Sequence, residues 1–407
     1  MVVSDLREPF YVLKFLNLRI GLLGISITYW ISLLGFFLLT LFLAALIGLA
    51  LYQTVVLTKT TNTLQAYLIG LGIVVPFWMM VWPLQFLKLV TLDNAIFRFL
   101  VGGIAPIVCA FRTIEVVSGF CPNYVTQSAK DFCFYYAMVP IVQRRNDGTP
   151  IVCENSQKLQ HLLVFGGMMV ITGLLQSILT PYDNMNVFGS ITTQSSSWRS
   201  FERLGSWQLY ANSALQAMLF QLYLGTYYEA LQFAFALLTG YQSEAPMDNP
   251  LLESKSPMDF WGKRWNTMIH TVLKNGVYKP IRIRLKSSKT VAVLATFVAS
   301  GLFHEWILWL VFSLGNENEN NDNNSFVWYG GALVFFVWQA MLIGLELALG
   351  KTRVVQSISQ RMPKPIQTFL VVCMGLPLAH FFLEPYVTKP FFSHGAMGLP
   401  MVVVLSK

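Results

Sequence analysis

The sequence predicts an all-α polytopic membrane protein, a bundle of about eight transmembrane helices. Three observations carry the prediction. Only 12% of the 407 residues are charged, where a soluble domain carries about 25%. The hydrophobic share is 55% and the mean hydropathy +0.54. Uncharged apolar runs of about 18 residues or more, long enough to cross a bilayer, recur along the chain.

Taken in order, Ile20–Leu57 is uncharged for 38 residues. That is too long for one upright helix, so it predicts a tilted helix with an interfacial lead-in, or two helices. The charges before it (Asp5, Arg7, Glu8, Lys14, Arg19) leave no cleavable signal peptide, so this first span is expected to act as the targeting signal. Leu64–Leu87 follows, with Pro76 and Pro83 expected to kink it. Val101–Phe111 is short and reads as interfacial or re-entrant. Leu162–Thr180 is a span, and Trp207–Gly240 is one tilted helix or two segments around Glu229. Val291–Leu314, Phe326–Leu349 and Ile366–Val387 complete the set.

The loops set an expected orientation. Residues 253–289 carry nine basic residues against Glu253 and Asp259, which places this loop in the cytosol by the positive-inside rule. The acidic, Asn-rich loop 315–325 falls on the lumenal side, with a glycosylation sequon at Asn323, and the basic stretch 350–365 returns to the cytosol. The net charge of +8 is thus a topology signal, and no nucleic-acid partner is expected. The five cysteines show no metal-binding spacing and are expected to be reduced and structural.

Ionisable residues inside a bilayer are costly and mark function by default. His304 is the fourteenth residue of the span beginning at Val291, about 20 Å in at 1.5 Å per residue. Small residues precede it (Ala295, Ala299, Ser300, Gly301), leaving room for close packing or for a ligand. Ser300 lies one turn before it on the same side, whereas Glu305 is turned about 100° away. The bland reading is a neutral imidazole hydrogen-bonded between helices. A rival pair, His380 and Glu384, shares a face of the last span, although Pro377 and Pro385 suggest a kinked, helix-tying role. Glu229 and Glu346 read as interhelical hydrogen-bonders, and His161 and His394 as bland.

The stretch "SPMDFWGKRWNTMIH", 256–270, interleaves Phe260, Trp261 and Trp265 with Lys263 and Arg264. An interfacial helix accounts for that composition. It does not account for the amide of Asn266 or for His270 four residues on.

"FWGKRWN" followed 38 residues later by the His304 of "SGLFHEW" resembles the membrane-bound O-acyltransferase superfamily, in particular its wax synthase-like branch. That branch pairs F-W-G-[RK]-R-W-[NH] with a His in an S-G-x-x-H stretch of the next span. The resemblance implies one integral-membrane acyltransferase domain over 1–407, with its core motifs in 256–306 and a buried catalytic chamber. It implies transfer of an acyl group from acyl-CoA to a lipophilic alcohol in a multi-pass protein of the endoplasmic reticulum, in contact with membrane lipids. The chain length looks most like fungal acetyltransferases of terpenoid or other secondary-metabolite hydroxyls, which favours acetyl-CoA. Wax ester and sterol ester synthases are the alternative within the family.

The chemistry agrees. Attack of a hydroxyl on a thioester needs a base, for which His304 is suited, and a donor for the developing oxyanion, a role for Asn266. Trp261, Arg264, Trp265, Ser300 and Glu305 are the expected substrate contacts. Lys263, Arg282, Arg284 and Lys286 are the expected contacts of the CoA phosphates. No metal or bound cofactor is required. Two other classes compete: a proton-coupled transporter, which predicts inverted repeats that the sequence lacks, and a membrane scaffold in which His304 is structural.

Overall fold

A computed structural model describes residues 12–15, 18–22, 27–89, 94–189, 204–312, 330–350, 352, 361–389, 391–395 and 399–404. Helices dominate, as expected. Among the described residues seven are long and apolar enough to cross a membrane: Leu34–Val56, Leu64–Phe86, Ala95–Val117, Asn155–Leu179, Lys289–Phe312, Gly331–Leu349 and Lys364–Thr388. An eighth long helix, Trp207–Thr239, has 33 residues, about 50 Å at 1.5 Å per residue, so it outspans a hydrocarbon core of about 30 Å. It is continuous through Glu229 and ends at Gly240, whose φ of 74° is the left-handed conformation that closes a helix.

The uncharged run near the N-terminus resolves into one long helix preceded by a strand. Leu18–Leu22 pairs antiparallel with Val12–Phe15 on one side and with Pro400–Val404 on the other. These short strands tie the two ends of the chain together. The lumenal-loop expectation at 315–325, with Asn323, and most of 350–365 lie outside the described residues.

Two spans differ from expectation in an instructive way. Val101–Phe111 is the middle of Ala95–Val117, the most buried of the seven, with 78% of its apolar window inside the protein. It reads as short because Arg98, Arg112 and Glu115 interrupt its uncharged run. All three are buried and bonded: Arg98 Nη1 donates to Val311 O at 3.1 Å, and Arg112 donates to Tyr135 O and Met138 O. Glu115 accepts from Tyr135 Oη at 2.9 and 3.0 Å and from Asn275 Nδ2 at 3.1 Å. The second span, Leu64–Phe86, absorbs Pro76 by widening into π-turns on either side, Gly70–Val74 and Phe77–Val81. The carbonyl of Met79, in the second of these, accepts from Trp306 Nε1 at 3.0 Å on the helix that carries His304.

The His304 helix, Lys289–Phe312, packs most closely on Gly331–Leu349. Gly301 permits this: a Cβ there would lie 2.8 Å from Leu333 Cα. All five cysteines are free thiols.

Candidate active site

An apolar cavity of about 1220 Å³ opens among these helices. Along the His304 helix it is lined by Lys289, Val293, Phe297, Ser300, His304 and Ile307. Those positions recur every three or four residues and so form one stripe. The stripe runs about 27 Å along the axis, from the exposed Lys289 to deep among the spans.

The opposite wall comes from the motif segment. Ser256 caps a helical turn by accepting from Asp259 N at 3.1 Å, and Phe260–Arg264 continues as a π-turn. The chain then breaks at Asn266, whose φ of 42° is left-handed, and restarts as Thr267–Leu273. Asn tolerates that conformation better than most residues. Its Oδ1 caps the new helix through Ile269 N at 3.2 Å. That leaves Nδ2 with no protein partner among the described residues, on a side chain that lines the cavity. Thr267 anchors the break by donating N–H to Pro246 O at 2.8 Å and Oγ1 to Ala245 O at 2.7 Å.

His304 Nδ1 lies 2.7 Å from Ser300 O. A carbonyl only accepts, so Nδ1 carries the proton and Nε2 keeps a basic lone pair. The ring is clamped by Phe336, stacked at 4.5 Å, and by the edge of Phe382 at 5.2 Å. An imidazole with a fixed tautomer and a fixed plane, lining a cavity, has the form of a general base.

The cavity brings together His304, Asn266, Trp261, Trp265 and Ser300 of the sequence candidates. Trp261 is held by donating Nε1–H to Gln339 Oε1 at 3.1 Å, and Gln339 in turn donates to Gly375 O at 3.2 Å. Trp265 packs against Trp261 at 5.9 Å, and both tryptophans form part of the cavity wall.

The other candidates are placed elsewhere, each for a visible reason. Arg264 does not line the cavity. Its guanidinium clamps three acidic residues: Asp259 at 2.9 Å, Glu253 at 3.0 Å and Asp248 at 3.1 Å. Burial pushes the Asp259 carboxyl up, but the Lys255 N–H and Arg264 more than offset this and hold it below the usual carboxylate range. Glu305 also points away from the cavity and accepts from Leu333 N at 3.0 Å. It supplies in trans a cap for Gly331–Leu349, whose own first residues are glycines without side-chain oxygens. Lys263 is 78% exposed beside Asp259. Arg282 bonds Ser287 O at 2.6 Å, and Arg284 bonds Ser118 O at 3.2 Å. Neither they nor Lys286 line the cavity.

The cations that do line it are Lys274 and Lys289, both exposed. Asn266, His270, Lys274 and Tyr278 all line the cavity, spaced four apart. The sequence alone shows His270 four residues after Asn266; continuing that i, i+4 series finds Lys274 and Tyr278. Burial, with Lys274 adding to it, holds His270 below the ordinary imidazole range. Of the remaining ionisable residues, Glu229 bonds His161 at 2.8 Å and Glu346 accepts from Met258 N at 2.8 Å. His380 does not line the cavity.

Residues 245–338 match the membrane bound O-acyl transferase family. The match contains both Asn266 and His304, and it bears out the resemblance drawn from "FWGKRWN" and "SGLFHEW". Among similar proteins, "Probable long-chain-alcohol O-fatty-acyltransferase 9" of Arabidopsis thaliana is 30% identical over 132 residues, 31% of this chain and 35% of its own length. "Acyl-CoA--sterol O-acyltransferase 1" of the same plant is 28% identical over 185 residues, 43% of this chain and 49% of its own. The "Long-chain-alcohol O-fatty-acyltransferase" of Simmondsia chinensis is 36% identical over 96 residues, 21% of this chain and 26% of its own. The aligned stretches thus span between a quarter and a half of these relatives.

Proposed function

We propose that this protein is an acyl-CoA-dependent O-acyltransferase whose acceptor is the hydroxyl of a lipophilic alcohol. The observation that carries the reading is that one apolar cavity is lined by both the His304 ring, with Nε2 unprotonated, and the Asn266 amide. In the proposed reaction His304 Nε2 takes the acceptor's hydroxyl proton as its oxygen attacks the thioester carbon. Asn266 Nδ2–H donates to the carbonyl oxygen as it gains charge. The tetrahedral adduct then collapses, the C–S bond breaks, and the imidazolium returns its proton to the departing thiolate. The products are an ester and free CoA. The greasy walls around His304 keep water from competing with the alcohol.

Lys274 and Lys289 suit the phosphates of CoA, since they mark the cavity's exposed end. Along the helix Lys289 lies about 22 Å from His304. In this reading the loop 253–289 is cytosolic and the membrane is that of the endoplasmic reticulum. The donor is acetyl-CoA and the acceptor a terpenoid or similar secondary metabolite. A second reading, a fatty acyl group passed to a long-chain alcohol or sterol, is favoured by the activities for which the relatives are named.

The test uses microsomes expressing wild type and His304→Ala at equal levels. Labelled acetyl-CoA and a long-chain acyl-CoA are supplied separately with fatty alcohols, sterols and terpenoid alcohols. An ester made by wild type and lost in His304→Ala supports the proposal and identifies donor and acceptor. An ester made equally by both removes His304 from the mechanism.

A further inference from the structure

A second cavity, of about 310 Å³, is bounded by the Asn155–Leu179 and Trp207–Thr239 helices and by the extended segments 141–152 and 240–247. Its volume is at the low end of ligand pockets, ~300–1,000 Å³, and its lining is unlike that of the large chamber. Backbone pairing makes one wall rigid: Gln143 N donates to Gln242 O and Gln242 N to Ile151 O, both at 2.8 Å.

The side chains facing the cavity carry an excess of uncharged hydrogen-bonding groups. Gln232 is only 6% exposed. Its Oε1 accepts from Ser243 Oγ at 3.3 Å, while its Nε2 has no protein partner among the described residues. The side-chain amides of Gln143 and Gln242 and the hydroxyl of Tyr228 are likewise without protein partners among those residues, and all line the cavity. The ionisable members, His161 and Glu229, face each other at 2.8 Å and bond one another. No Lys or Arg lines the space.

These features select a ligand class. Without a Lys or Arg on the wall, and with His161 already paired to the Glu229 carboxylate, a phosphate or sulfate has no free counter-charge. An apolar ligand would bury amides with nothing to bond. A ring with hydroxyls around its edge satisfies the glutamines, whose amides both donate and accept, and presents its C–H face to Tyr228. We propose that this cavity is a binding site for a neutral polyhydroxylated group of about monosaccharide size. His161 lies six residues into its apolar helix, about 9 Å from its start. Both a soluble sugar and the headgroup of a glycolipid carry this chemistry.

The test uses the full chain in phosphatidylcholine nanodiscs, free of glycosidic detergent. Saturation-transfer NMR is recorded with glucose and with myo-inositol in solution, and separately with glucosyl-diacylglycerol in the nanodisc. Sugar-proton contact that saturates, and that Gln232→Leu weakens at least tenfold, is the expected result. Contact from a soluble probe assigns a free sugar or polyol; contact from the lipid alone assigns a headgroup. If Gln232→Leu does not fold, Gln143→Leu, on the backbone-paired wall, is read in its place. No contact from any probe, leaving water as the only occupant, overturns the proposal. So does contact that the folded variant leaves unchanged.

Discussion

The substitution Gly301→Ala tests whether close helix packing is what holds the proposed base in place. A Cβ at 301 would lie 2.8 Å from both Leu333 Cα and Leu333 Cδ1. Ordinary carbon contacts are ~3.5–4.0 Å, so the helices must part by about 1 Å there. A rotamer change relieves the Cδ1 contact but not the backbone one. The displaced helix holds two contacts that matter: Leu333 N–H to Glu305 at 3.0 Å and Phe336 stacked on His304 at 4.5 Å. Overpacking of this size costs about 1–3 kcal/mol. A 1 Å misplacement of a reacting group costs about 100-fold in rate. Gly344→Ala, on the same partner helix with nothing within 4 Å of its new Cβ, is the control. It should be silent or slightly stabilising, because Ala is the better helix former by up to ~1 kcal/mol. The assay is ester formation per folded protein, with the Tm of each purified variant. If Gly301→Ala matches wild type in both rate and Tm, the close approach at Leu333 does not position His304.

Three further outcomes follow from the motif segment. Asn266→Gly retains the left-handed backbone and costs only a few tenths of a kcal/mol as a cap. It should keep its Tm yet lose about 10²–10³ in kcat, the size of a lost oxyanion donor; unchanged kcat would remove Asn266 from the site. Arg264→Ala should destabilise by about 1.5–3 kcal/mol, mostly through the sheltered Asp259. The Glu253 and Asp248 side chains are 53% and 61% exposed and add little. The KM for acyl-CoA should not move, and a selective KM rise at unchanged Tm would make Arg264 a ligand contact instead. His270 has a folded pKa held below its ordinary 6.5, so around and below pH 6.5 the unfolded chain binds more protons than the folded one. Its contribution is full above that pH and is lost as pH falls toward the folded value. The Tm of wild type should therefore drop further between pH 7.5 and 5.5 than that of His270→Gln, and equal drops would contradict the burial of His270.

Composition and spacing were enough to establish a helical membrane bundle and to pick out Asn266 and His304, because both kinds of signal are local. Charge depletion reports the solvent around a span. A motif reports residues that must sit at a set distance along the chain. The buried span Ala95–Val117 reads as the short stretch Val101–Phe111 because an uncharged run stops at Arg98 and Arg112, although its mean hydropathy equals that of Leu64–Phe86. Its Arg112 and Glu115 bond Tyr135, Met138 and Asn275, partners that no window over the span itself contains. The basic residues show the same divide. Sequence could show that 253–289 is cationic but not which cations face inward. Lys274 and Lys289 line the cavity, while Arg264, Arg282 and Arg284 bond Asp259, Ser287 and Ser118. The tertiary structure alone decided that Glu305, next to His304 in sequence, caps a neighbouring helix. Adjacent residues on a helix point about 100° apart, so which of them meets a cavity depends on the helices packed around it.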